Sequence, residues 1–525
     1  NKGVNDLGRK RWIANTSLKY DFTKWLYVQA RVGYDLWNDK LLKAEPWGTA
    51  YTQDKHGNLQ DVASTQSYEL NVDGLIGANR DLTENLTLDA VIGANLRKNQ
   101  YEKIAVGGSY FLVPNQYTLG NVRNPRTDPG SNYDFWKTEV HSAFYSLDFS
   151  YKNFLTIATT GRYDAYSTLP VESNSIFTPS VSLGFIFTDI ANMDILNFGK
   201  LRMSYAQTSG DPKDAYQTAL YYSLGSPLSG IPTGSFSTSL PNLFLKPFVV
   251  SEFEIGTDLK FFNNRLGLDV AWYNKKTKNE IMPASYSPAT GATSGVVGTG
   301  STQNTGLEVQ LTGTPVRSDD FSWVSTFNIT SVKNKILETD ADGKNQNMGS
   351  NRGTLGNAVT SFIKGYPGPQ ILAYDYKRHA NGQIIVDAAG LPQRGDLIKM
   401  GSVLPTLFGG LNNEFNYKAL NFSFLVDYNF GNKILSATKY YALRRGLDQE
   451  TLEGREGGII TGVYDNGNQN TVAASAQAYY TALANNVTSV TVLNGDYIKL
   501  RQMTLGYTLG QRVVAPLKIF SGIQI

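Results

Sequence analysis

The side chains able to do covalent or metal chemistry are few in this 525-residue chain, and they are scattered. Its three histidines, His56, His141 and His379, stand far apart and form no His-Glu-x-x-His pair. Two histidines on one face of a helical turn are what that metal-binding arrangement needs. Cysteine is absent, which excludes disulfides, cysteine–zinc sites and thiol nucleophiles. No glycine-rich run ends in Lys-Ser/Thr to cradle phosphate, and no Gly-x-Ser-x-Gly turn presents a serine. One acidic run, Glu338-Thr339-Asp340-Ala341-Asp342-Gly343, places carboxylates at alternate positions ahead of a glycine, as a calcium loop does. Asp340 and Asp342 are its candidate ligands. Glu338 stands where Asp is expected and Gly349 where a bidentate Glu should close the shell, so an acidic turn is the simpler reading. Asp319-Asp320 reads as a pair of solvated turn acids, because glycoside hydrolysis needs carboxylates facing each other across a substrate. Neither an enzyme activity nor a cofactor is expected.

The composition points to recognition instead. The chain holds 31 Tyr, 25 Phe and 7 Trp beside 50 Gly. Trp47, Tyr51, Tyr110, Phe111, Tyr117, Tyr133, Phe135 and Trp136 fall in long polar connections. Flat rings there can stack on sugars or apolar side chains, and phenols add hydrogen bonds, so these residues are candidates for ligand contact. The competing reading is that they pack the loops against each other or a partner. Trp12, Trp25, Tyr34, Tyr151, Phe187, Trp272 and Trp323 lie near strand ends and suit the aromatic girdles of a membrane interface.

What positions these residues is a repeated two-residue rhythm. Leu26, Val28, Ala30, Val32, Tyr34 and Leu36 alternate with Tyr27, Gln29, Arg31, Gly33, Asp35 and Trp37. Similar alternation runs through Tyr68–Gly77, Leu86–Arg97, Phe253–Phe261 and Leu420–Asn429. Strand side chains point alternately to opposite faces, so each segment has one apolar and one polar side. Each is roughly 9–12 residues, the length of a tilted strand crossing a bilayer. Short connections near Asp21–Lys24, Asn79–Asn85, Tyr151–Asn153, Asp189–Phe198, Phe262–Asn264, Pro315–Asp320, Tyr417–Ala419 and Gly510–Pro516 alternate with long ones. That asymmetry predicts an all-β, antiparallel, up-and-down transmembrane β-barrel of about sixteen strands over residues 1–525. The alternative, a soluble propeller or stacked sandwich, has shorter strands and loops that do not sort by side. On the barrel reading Arg31, Asp35, Asp73, Arg97, Arg202 and Glu254 line the lumen. No apolar run approaches the ~18 residues of a membrane helix. A net charge of +3 gives no reason to expect nucleic acid as a partner. The strand directions place both chain ends on the long-loop side, so the barrel is expected to be incomplete at both ends.

Several blocks resemble the SusC/RagA family of TonB-dependent outer-membrane transporters. They include Leu201-Arg202-Met203-Ser204-Tyr205-Ala206-Gln207-Thr208-Ser209-Gly210, Glu254-Ile255-Gly256-Thr257-Asp258-Leu259 and Asn304-Thr305-Gly306-Leu307-Glu308. Gly365-Tyr366-Pro367, Gly409-Gly410-Leu411-Asn412-Asn413 and Asp496-Tyr497-Ile498-Lys499-Leu500-Arg501 follow in order. The resemblance implies a plugged barrel of about 22 strands, with an N-terminal plug domain not present in this sequence. It implies active import of oligosaccharides or peptides with a SusD-like surface lipoprotein, energised by a TonB-ExbB-ExbD complex through that plug. A passive porin or structural barrel is the alternative.

Overall fold

The computed structural model describes residues 3–126, 132–509 and 523–524, less 192, 213, 220, 221, 230, 286, 288, 290, 341 and 349–357. Long strands dominate: β1 (Val4–Asp21), β2 (Leu26–Glu45), β3 (Asn58–Thr83), β4 (Leu86–Phe111), β5 (Tyr133–Tyr151), β6 (Leu155–Tyr166), β7 (Ser175–Ile186) and β8 (Leu196–Gly210). They continue with β9 (Phe248–Phe261), β10 (Leu266–Ser285), β11 (Ser294–Arg317), β12 (Phe321–Glu338), β13 (Leu407–Tyr417), β14 (Leu420–Phe430) and β15 (Tyr497–Leu509). Sequence neighbours pair antiparallel from β1 to β6 and again from β11 to β15, as an up-and-down meander requires. Beyond Pro516, where the alternation of short and long connections calls for one more strand, only Ile523 and Gln524 are described, and they pair with Leu509 and Thr508. The remainder of that strand and the turn at Gly510–Pro516 lie outside the described residues. No described helix is long and apolar enough to cross a membrane, which leaves crossing by strands untouched.

Several strands are longer than the alternation suggests. β2 continues through Asn38–Glu45 and β4 through Gln100–Phe111, so the long connections that follow these alternating segments contract. In these extensions both faces carry polar residues, and Asn38 pairs with Gln66 and Asp39 with Thr65. Period-two patterning disappears once both faces carry polar residues, although the backbone ladder continues.

The chain divides into two compact units, residues 1–183, 205–250 and 279–298 in the first and 184–204, 251–278 and 299–525 in the second. In the first unit the register sorts residues into rows. Tyr20, Val28, Ile76, Ile92, Tyr145 and Gly161 stand opposite one another across six strands. Tyr20 is 64%, Ile76 50% and Ile92 63% exposed. A continuous apolar row left open to the surroundings is the pattern of a lipid-facing surface. Tyr34 and Tyr68, ring centroids 5.7 Å apart, stand higher on the same face, where an interface girdle would sit.

The second unit repeats the apolar face with a ladder of rings. Trp323 stacks on Phe415 at 5.7 Å, and Phe415 on Phe422 at 6.1 Å. Its long connections fold into a module of their own. A four-stranded sheet joins Gln346–Asn347, Val359–Phe362, Gln370–Tyr376 and Arg394–Ser402. Two helices, α1 (Ala437–Arg445) and α2 (Ala476–Asn486), share a buried core with it through Ala373, Tyr440, Leu443, Tyr480 and Ala484. Ser436 Oγ accepts the Lys439 amide at 3.0 Å to start α1, and Gly446, at φ 67°, ends it in the left-handed conformation that glycine adopts without strain.

Candidate functional site

The polar face of the first unit is held by charge pairing. Ser17, Arg31, Asp73, Asn95, Ser142 and Asp164 form one cross-strand row. Arg31 Nε lies 3.7 Å from Asp73, and Asn95 donates to the same carboxylate at 2.9 Å. Ser142 Oγ and Arg162 Nε both donate to Asp164, at 2.6 and 2.7 Å. Arg11 grips Asp35 through Nε at 2.8 Å. Arg97, opposite Asn71 and Val140, lines a recess of about 590 Å³ with Asn95, Arg162, Asp164, Tyr166 and Ser209. Its buried Nε has no hydrogen-bond partner.

In the second unit Arg202 donates to both oxygens of Asp269 at 2.7 and 2.9 Å and to Glu254 at 3.4 Å. Gly256 lies beneath it, and a Cβ there would come within 2.8 Å of the guanidinium. The strand neighbours Met203 and Phe253 are exposed apolar residues. All six residues expected on the lumen side lie on strands, and five of them have apolar or small residues on both sides along the chain; Arg97 lies between Leu96 and Lys98. Asp269, which completes the Arg202 pair, was missed because it sits on a strand distant in sequence.

The aromatic candidates divide by environment. Trp136 belongs to β5, not to a loop, and it stacks on Tyr101 at 5.4 Å with planes 9° apart. Trp37 meets the other side of Tyr101 at 6.4 Å, across the small side chain of Ser67. Arg9 lies over Trp37 at 4.5 Å and pairs with Asp39 at 2.7 Å. This row shares the polar face with Arg31 and Asp35 and lies roughly 20 Å beyond Arg31 and about 7 Å beyond Asp35 along β2, at about 3.3 Å per residue. Trp37 and Tyr101 are additions to the candidate set; the signal for Trp37 was its place on the polar side of the alternation. Tyr133 stacks on Phe135 at 6.3 Å and donates to Glu102 at 3.1 Å.

Loop packing accounts for others. Phe111 is 1% exposed, in a small core with Ala44, Leu59 and Val122, so it is withdrawn from the ligand-contact set. Tyr117 packs edge-on to Phe111 at 5.6 Å. His56 stacks on Tyr110 with centroids 3.9 Å apart, and Trp47 meets His56 at 3.7 Å with its plane tilted by 46°. Tyr51 is 78% exposed and donates to Glu45 at 2.9 Å, and that carboxylate holds its phenol above the ordinary value.

Asp340 and Asp342 have partners within their own turn. The Lys344 amide and Gln346 side chain donate to Asp340 at 2.7 and 3.1 Å. Lys344 Nζ donates to Asp342 at 2.7 Å and keeps its carboxyl below the usual range. Among the described residues no group of three or more His, Asp or Glu side chains is placed to hold a metal ion. Ala341 and Gly349 lie outside the described residues.

Antiparallel strands with one apolar and one ion-paired face define a β-barrel wall, and sequence comparison identifies its kind. Residues 1–371 match the family described as TonB dependent receptor-like, beta-barrel, and the chain belongs to that family. It is 27% identical to TonB-dependent receptor P26 of Formosa agariphila, over 72% of this chain and 40% of that receptor. It is 23% identical to TonB-dependent receptor SusC of Bacteroides thetaiotaomicron, over 70% of this chain and 37% of SusC. The RagAB peptide importer in its closed-closed state shares the fold, with a TM-score of 0.76 at 18% identity, covering 99% of this chain and 58% of that one. The SusC/RagA resemblance therefore stands. The chain spans about half or less of the length of these relatives.

Proposed function

We propose that the chain forms the barrel wall of an active outer-membrane importer that takes up oligosaccharides or peptides. The observation that carries this reading is the sorting of rows: exposed Val28, Ile76 and Ile92 on one face and the Arg31–Asp73–Asn95 pairing on the other. Lipid tails meet the first face, and an enclosed, aqueous lumen meets the second. Arg31, Asp35, Asp73, Arg97, Arg202 and Glu254 line that lumen, where mixed charges suit contact with a plug and water. Cargo passes the Trp37–Tyr101–Trp136 row on its way inward. A SusD-like surface lipoprotein works over the long loops, and a TonB-ExbB-ExbD motor acts through a plug. No bond in the cargo is broken.

Uptake of labelled oligosaccharides and peptides by cells carrying the complete transporter tests the proposal. Import should stop when the proton-motive force is collapsed. Cargo that keeps entering without it would make the protein a passive pore.

A further inference from the structure

The loop module of the second unit carries a recess of about 640 Å³ that the import reading leaves without a role. Arg444, Arg445 and Arg455 line it, with Thr451, Ser475 and Gln477, and no carboxylate is among its lining residues. Two of the nearby acids are engaged, since Lys439 pairs with Asp448 at 3.0 Å and with Glu450 at 2.7 Å, while Glu453 stands outside the lining and close enough to act on Tyr480. Two of the guanidiniums are held in place. Arg455 donates to the Gly446 carbonyl at 2.7 Å and the Thr451 carbonyl at 2.9 Å, and Arg444 donates to the Tyr440 hydroxyl at 3.1 Å. Arg445 is exposed and has no ion pair among the described residues. Arginines near a helix C-terminus complement its dipole, but that role does not require three of them around one opening.

We propose that this recess binds an acidic sugar, gripping its carboxylate or sulfate ester through the guanidiniums. Planar guanidiniums match the paired oxygens of such groups, and their fixed geometry lowers the cost of ordering them. Thr451, Ser475 and Gln477 offer hydroxyl and amide partners for ring hydroxyls. The inference rests on the importer reading only for the statement that the bound sugar is cargo.

The test is equilibrium binding to the intact protein in detergent, probed with a galacturonate oligomer, a neutral glucose oligomer of equal length and a triglutamate peptide. The galacturonate oligomer should bind most tightly, and its affinity should fall with salt. Arg445→Gln should weaken it about tenfold, and Arg445→Lys should restore part of the loss. Arg445 holds nothing else in place, so the fold is expected to tolerate both changes. Unchanged affinity in Arg445→Gln would overturn the site, and triglutamate binding as tightly would overturn its assignment to sugar. Intact binding with no energised uptake would count against the importer reading alone.

Discussion

Trp136 lies flat against Tyr101, with ring centroids 5.4 Å apart and planes 9° from parallel. The two residues are cross-strand partners on β4 and β5, and Trp37 approaches the same tyrosine from β2. Such a pair contributes about 0.5–1.5 kcal/mol beyond its buried area. The row therefore presents cargo with a surface already in place. Trp136→Ala should lower cargo affinity several-fold while the folded, heat-modifiable band on a gel is unchanged. Equal affinity in the variant would remove the row from the site.

Trp47→Ala should act differently, because Trp47 packs against His56 and against the core around Phe111. Its loss should loosen the connection at residues 46–57. Limited proteolysis should find new cleavage there, with the strands still protected.

On the apolar face, Val32 is 45% exposed. Val32→Arg would place a cation against hydrocarbon and should cost about 2–4 kcal/mol near the bilayer midplane. Asn95→Lys, on the polar face, should be nearly neutral. Reversible urea unfolding in lipid vesicles compares the two. Equal costs would mean that the faces are wrongly assigned.

A double-mutant cycle of Arg202→Met and Asp269→Asn should give a coupling of roughly 1 kcal/mol. The geometry is bidentate, but both side chains are partly exposed and thus screened. The coupling should shrink as salt rises.

The loop module should be acid-sensitive. Lys439 holds the Asp448 carboxyl below its ordinary value, and Asn494 with the Gly431 amide does the same for Asp496. A carboxylate with a depressed folded-state pKa adds stability above its unfolded value, about 3.9, and that stability is lost as pH falls through the folded value. Pepsin should therefore cut within residues 433–496 as pH drops below about 4, before it cuts the strands.

The sequence was most legible where one face is apolar. Leu26–Leu36 and Leu420–Tyr428 alternate because each second side chain is turned away from water, and both lie in strands. Asn38–Glu45 and Gln100–Phe111 are strands as well, yet their pattern is mute because both faces carry polar residues and the small core at Ala44 and Phe111 is closed by contacts remote in sequence. The helices of the loop module escaped notice because their burial comes from contacts remote in sequence, such as Ala373 with the Tyr440–Leu443 side of α1. Trp136 could be named as an aromatic in a polar stretch, but its pairing with Tyr101 depends on strand register. Phe111 shows the reverse: residue type suggested contact, and burial placed it in a loop core.

The hairpin of β3 and β4 has a consequence for where cargo is met. Each arm runs 26 residues. At roughly 3.3 Å per residue and a tilt of about 45°, an arm climbs ~60 Å, twice the ~30 Å of hydrocarbon. With its headgroups the bilayer spans about 40–45 Å, so on the importer reading this hairpin stands roughly 15–20 Å clear of the lipid. A bulky polymer could be threaded there without first reaching the crowded headgroups below.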